Sequence, residues 1–110
     1  MTVQQLAARP EFTVLNLGDL NPELTRVFTC DLLSVCMSKA SAGCVWVTVM
    51  GNMNAIAVAV LTDTACIILA EGTSLDDNGM VKAQQQGVTV LQSRQPVFET
   101  ALLVHELIHA

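Results

Sequence analysis

Apolar and mixed-polarity stretches alternate along the second half of the chain in a repeating rhythm. Cys44-Val-Trp-Val-Thr-Val49 is rich in β-branched and aromatic residues and leaves a turn at Ala42-Gly43, which predicts a strand. Ala65-Cys-Ile-Ile-Leu-Ala70 is apolar throughout, the pattern of a central strand covered on both faces. Val88-Thr-Val-Leu-Gln92, entered through Gly87, predicts a third strand. Residues 53–61, 74–86 and 96–109 then predict helices. Ser74 is a ready cap for the second of these, Asp76 and Asp77 suit its first turn, Gly87 stops it, and Gly79 is its weak point. Pro96 opens the third. Ala55-Ile-Ala-Val-Ala-Val60 alternates as a strand would, but Asn52 and Asn54 as caps, and the parallel with the two later units, favour a buried helix.

Upstream, residues 3–8 predict a short helix, 12–16 and 25–29 two strands, and 31–39 a helix with Leu32, Leu33, Val35, Cys36 and Met37 available for burial. Strands alternating with helices at such close spacing imply parallel pairing through right-handed crossovers. The expected fold is α/β, a three-layer α/β/α arrangement around a mostly parallel sheet.

Composition adds a constraint. The 110 residues suit one domain, 1–110, yet 52% are hydrophobic and only 14% charged, against about 25% charged in an average soluble chain. So much apolar side chain calls for a core of small residues, or for a surface covered by a second copy, and a homodimer is expected. The net charge is −5, and the five cations, Arg9, Arg26, Lys39, Lys82 and Arg94, are scattered. No basic stripe forms, which argues against nucleic acid as a partner. The N-terminus has no secretion-signal pattern, and the longest apolar run, 55–61, falls far short of the ~20 residues that span a bilayer. A cytoplasmic protein without membrane contact is expected. The four cysteines, Cys30, Cys36, Cys44 and Cys66, form no C-x-x-C pair and read as free thiols.

Val3-Gln-Gln-Leu, Phe12-Thr-Val-Leu, Val27-Phe-Thr-Cys-Asp-Leu-Leu-Ser34 followed by Met37, Val49-Met-Gly-Asn-Met-Asn-Ala-Ile-Ala-Val58 and Pro96-Val-Phe-Glu-Thr-Ala101 occur in an order that spans nearly the whole chain. In that order the sequence resembles the DRTGG domain family, whose fold is shared with the N-terminal domain of HPr kinase/phosphorylase. The charged, glycine-bearing loop that names the family falls at Met50-Gly51-Asn52-Met53-Asn54, where only Gly51 is kept and the Asp-Arg pair is missing. The resemblance implies a stand-alone bacterial member of the kind found in anaerobes beside iron–sulfur redox systems. It also implies a regulatory or ligand-sensing module, often dimeric, with no established catalytic residue and no cofactor.

In an open parallel sheet, ligands gather outside the carboxyl ends of the strands. Here that places Gly51, Asn52 and Asn54, then Glu71 and Thr73, then Ser93 and Arg94 around one site, with Asp31 joining if the strand before it also runs parallel. Arg94 suits a phosphate or carboxylate, and the asparagines suit an amide or base edge, so a nucleotide or small anion is the expected ligand. Asn, Ser, Thr and Asp also cap helices, and Glu71 with Arg94 could pair on the surface. No P-loop or dinucleotide fingerprint is present.

His105-Glu106-Leu107-Ile108-His109 matches the H-E-x-x-H pattern of zinc peptidases. A third histidine is lacking and the last turn of a helix is a poor support for a metal, so His105 and His109 are weak metal candidates only. Phe98, Ala101, Leu102, His105 and His109 share one helical face, which predicts a partly buried seam. The expected function is a non-enzymatic regulatory or small-molecule-binding module. Its rival is a dimeric structural adaptor that presents an apolar surface to a redox-protein partner and binds no small ligand, and a zinc metallohydrolase is a remote third.

Overall fold

The computed structural model describes residues 1–110. In chain order the elements are α1 (Val3–Ala7), β1 (Thr13–Asn16), β2 (Val27–Thr29), α2 (Leu33–Lys39), β3 (Val45–Thr48), α3 (Met53–Leu61), β4 (Cys66–Leu69), α4 (Asp77–Gln86), β5 (Val90–Gln92) and α5 (Val97–Ile108). All five strands join one sheet in the order β1-β5-β4-β3-β2. β2, β3, β4 and β5 are parallel to their neighbours, and β1 runs antiparallel along β5. The expected three-layer α/β fold is the observed one.

The side-chain period of a strand sorts the core into two halves. Val45, Val47, Cys66, Ile68 and Leu91 pack with Val3, Leu6 and Val104, so α1 and α5 cover one face. Trp46, Ile67, Leu69 and Val90 pack with Cys36, Ala55, Ile56, Ala59 and Ala83, so α2, α3 and α4 cover the other. The small residues of α3 let it lie close against α4 and α2 while its side chains pack on the sheet, which explains why its sequence reads ambiguously. A helix buried against a sheet and its neighbouring helices needs little polar face.

Two local expectations are corrected. The cap of α4 is Asp76, whose carboxylate accepts from Gly79 N at 2.7 Å, and not Ser74. Asp76 N donates to Gly51 O at 2.9 Å, so the chain stays extended until that bond is made. Gly79 is then a fitted position. A Cβ there would lie 2.7 Å from Leu75 Cδ1 and 2.9 Å from Asp76 Oδ1, crowding both the cap and the half-buried Leu75.

The other corrections concern burial. Of the five apolar residues offered by the α2 segment, only Cys36 is buried, while Leu32, Val35 and Met37 are exposed, because α2 lies over the sheet margin and has one covered side. In α5 the buried residues are Thr100 and Val104. Phe98 (69% exposed) and Leu102 (42% exposed) stand outward with His105, lining an open groove of ≈ 240 Å³ with Val27, Thr29 and Ala101 along the free edge of β2.

Candidate functional site

β2 is parallel to β3, so the turn carrying Asp31 lies with the other three at the carboxyl end of the sheet. The turns are held together by their own polar groups. Asp31 Oδ1 accepts from Thr48 Oγ1 at 2.6 Å and from Val49 N at 2.9 Å, tying the first turn to the end of β3. Gly51 O accepts from Asp76 N, tying the second turn to the start of α4. A Cβ at Gly51 would sit 2.2 Å from Ser74 O, so only glycine permits this approach. Glu71 N donates to Gln95 O at 2.9 Å and Gly72 N to Ser93 O at 2.8 Å, tying the third turn to the fourth.

Sequence order explains this closure. From β2 to β5 each strand lies beside the one before it, so the direction of winding never reverses among the parallel strands. The crevice of a doubly wound sheet opens where that order does reverse. Here the turns meet in a continuous row, and most of the predicted residues hold the row together. Asn52 caps α3, accepting from Ala55 N at 3.0 Å. Ser93 is buried; its hydroxyl shares a 2.8 Å bond with Thr100 Oγ1 and accepts from Gln95 N at 3.1 Å. Thr73 N donates to Ala70 O, and its carbonyl accepts from Gln92 Nε2.

Asn54, Glu71 and Arg94 remain as exposed polar side chains with no side-chain hydrogen bond to the protein. Glu71 also holds a left-handed backbone, φ 61°, followed by Gly72 at φ 67°. Such a conformation costs a β-carbon residue roughly 1–2 kcal/mol. The Glu71–Arg94 ion pair open to the sequence does not form; the ion pairs are Met1–Glu23 and Arg9–Glu11.

Of the predicted ligand-binding residues, Arg94 alone lines a cavity. The groove holds ≈ 340 Å³ and is walled by Pro10, Glu11, Thr13, Gln92, Arg94 and Gln95. Its one carboxylate is already engaged: Arg9 Nη2 donates to Glu11 at 2.9 Å and Arg9 Nε at 3.2 Å. That guanidinium holds the Glu11 carboxyl below its usual range. Glu11 is thus matched to Arg9, and Arg94 faces the groove as an uncommitted cation with amides and a hydroxyl around it.

Sequence reasoning missed Gln92, Thr13 and Glu11. Gln92 Nε2 bridges Gly72 O at 3.2 Å and Thr73 O at 3.0 Å while its residue lines the groove. A glutamine ending an otherwise apolar strand was the available signal. Thr13 and Glu11 arrive through β1, whose antiparallel place beside β5 no local pattern reveals.

At the far end of α5, the His105 and His109 rings lie 4.2 Å apart, and His109 Nδ1 is 2.8 Å from His105 O. No group of three His, Cys, Asp or Glu side chains in the molecule is arranged to share a metal ion. No helix is long and apolar enough to cross a membrane.

No family model matches the sequence, and no curated protein matches it. Among solved structures, the chain is similar to the CBS and DRTGG domains of the regulatory region of Clostridium perfringens pyrophosphatase, complexed with its activator diadenosine tetraphosphate. The TM-score is 0.67 at 12% identity, over 84% of this chain and 41% of that one. The fold is that of a DRTGG-like domain, and the chain spans about two fifths of the length of that neighbour.

Proposed function

We propose that the chain is a non-enzymatic regulatory module that binds a small polar anion, with a nucleotide as the first candidate, and that it acts as a cytoplasmic homodimer. The observation that carries this reading is the unpaired Arg94 guanidinium on a groove walled mainly by polar side chains. A guanidinium binds phosphate or carboxylate through two parallel N–H bonds, and the Gln92, Gln95 and Thr13 side chains around it suit the polar remainder of such a ligand. Glu71 and Asn54, free at the same end of the sheet, are the further candidates. The structural neighbour supports the class, being a regulatory region that binds a dinucleoside polyphosphate activator. Calorimetric titration with adenine and guanine nucleotides, dinucleoside polyphosphates and inorganic phosphate tests it. Saturable binding lost in Arg94→Ala supports the reading.

A second reading is favoured by a different feature. The β2 edge with Phe98, Leu102 and Ala101 is an apolar face that an adaptor would present to a redox-protein partner without any small ligand. The adaptor is also a dimer, so saturable binding of a nucleotide or small anion, lost on changing Arg94 or Asn52, separates the two readings.

A further inference from the structure

Beyond the groove, the structure places two thiols at one turn. Cys30 follows β2 and Cys36 sits one turn into α2. Cys36 Sγ lies 3.6 Å from Cys30 O, and Cys30 Sγ lies 3.5 Å from Leu32 O, so both sulfurs point into the loop that joins strand to helix. Cys36 is buried and Cys30 is partly exposed. The backbone is fixed at its Cys30 end. Trp46 Nε1 donates to Cys30 O at 3.0 Å, and the Asp31 carboxylate is held by Thr48 and Val49.

We propose that Cys30 and Cys36 form a thiol–disulfide exchange site, in which Cys30 meets small disulfides from solvent and Cys36 closes an internal bond. In the first step the Cys30 thiolate attacks one sulfur of a disulfide R–S–S–R. A Cys30–S–S–R bond forms, the R–S–S–R bond breaks, and one thiolate leaves and takes the proton that Cys30 gave up. In the second step Cys36, giving its proton to the departing RS⁻, attacks the Cys30 sulfur and releases the second RSH. The two cysteines are oxidised by two electrons and the small disulfide is reduced to two thiols.

The division of roles follows from access and environment. Exchange needs a sulfur that a reagent can reach, and Cys30 is the partly exposed one of the pair. Burial, and next the Cys30 thiol beside it, push the Cys36 thiol up to about 12, so Cys36 resists solvent oxidants and reacts once its neighbour carries the mixed disulfide. Cys66 is buried in β4 and Cys44 is buried just before β3, where it is occupied with Thr64 Oγ1 at 3.6 Å, so neither competes for a reagent in solution.

Trp46 is the single tryptophan, fully buried, and its indole N–H is bonded to the carbonyl of the reacting residue. Its emission therefore reports on this turn. The test is incubation of the folded protein with oxidised glutathione, followed by intact mass and peptide mapping. The expected product is a monomeric chain lighter by two hydrogens, with peptides containing Cys30 and Cys36 cross-linked, Cys44 and Cys66 still reduced, and a changed Trp46 emission reversed by dithiothreitol. In Cys36→Ala the Cys30–glutathione adduct accumulates, and in Cys30→Ser neither adduct nor cross-link forms. A stable glutathione adduct on Cys30 in the parent protein, a cross-link between two chains, or reaction only after denaturation would each overturn the proposal.

Discussion

The Thr48 hydroxyl, fully buried at the end of β3, donates to the Asp31 carboxylate at 2.6 Å and also accepts from Met50 N at 3.2 Å. One side chain thereby joins the turn after β2 to the turn after β3. Asp31→Ala removes two charge-assisted bonds and is expected to lower stability by about 1–2 kcal/mol, discounted for the exposure of the carboxylate. Urea denaturation of Asp31→Ala, Thr48→Val and the double variant measures the coupling. A coupling near ~1 kcal/mol is expected, and simple additivity would show that the pair is incidental.

Gly51 and Gly72 should respond differently to alanine. The Gly51 Cβ would meet the Ser74 carbonyl at 2.2 Å, which forces the turn after β3 away from α4, and a loss of roughly 1–3 kcal/mol is expected. The Gly72 Cβ meets nothing, so its cost is the left-handed backbone alone, about 1 kcal/mol. Thermal melts of the two variants should therefore rank Gly51→Ala below Gly72→Ala, and the reverse order would place the close approach elsewhere.

The stability of the protein should fall in alkali. Burial, and secondarily the nearby Cys44, push the Cys66 thiol from 9.0 up to about 12. Between those values the unfolded chain has released a proton that the folded chain keeps, so unfolding gains free energy as pH rises. The contribution of the protonated thiol is fully present below pH 9.0 and is progressively lost toward about pH 12. Cys66→Ala is expected to flatten part of this slope in denaturation series at pH 8 to 11, while an unchanged slope would assign it to other groups.

Phe98 is 69% exposed on the groove beside the free edge of β2. In a homodimer that face is the expected contact, and Phe98→Asp would place like charges across a two-fold axis. Light scattering after size exclusion should then read a dimer for the parent and a monomer for the variant. A parent that is monomeric at high concentration would remove the dimer from the account.

The alternation of strands and helices was legible because it is local: a β-branched run such as Cys44 to Val49 and a glycine stop such as Gly87 carry their meaning within a few residues. The resemblance to the DRTGG family led to the same fold that the structure displays. What lay outside local pattern was how the turns meet. That Asp76 caps α4 depends on Gly51, which approaches from the next turn, and the fit of Gly79 depends on that cap in turn. The candidate site was legible as a set of turns but not as a division of labour. Asp31, Gly51, Asn52 and Ser93 are used within the protein, whereas Arg94 is free because Glu11, the acid in its groove, is matched by Arg9. That pairing is local, but the meeting of Glu11 with Arg94 rests on β1 returning antiparallel beside β5, which no spacing in the sequence announces.

The central claim is that the Arg94 groove binds a polar anion. Isothermal titration of the parent and of Arg94→Ala with nucleotides, dinucleoside polyphosphates and phosphate measures it most directly, with melting temperature as the check that the variant is folded. Saturable binding by the parent, weakened at least ~10-fold in a variant of unchanged stability, is the predicted result and corresponds to about 1.4 kcal/mol. Absence of binding across all these ligands, or equal affinity in the parent and Arg94→Ala, would contradict it.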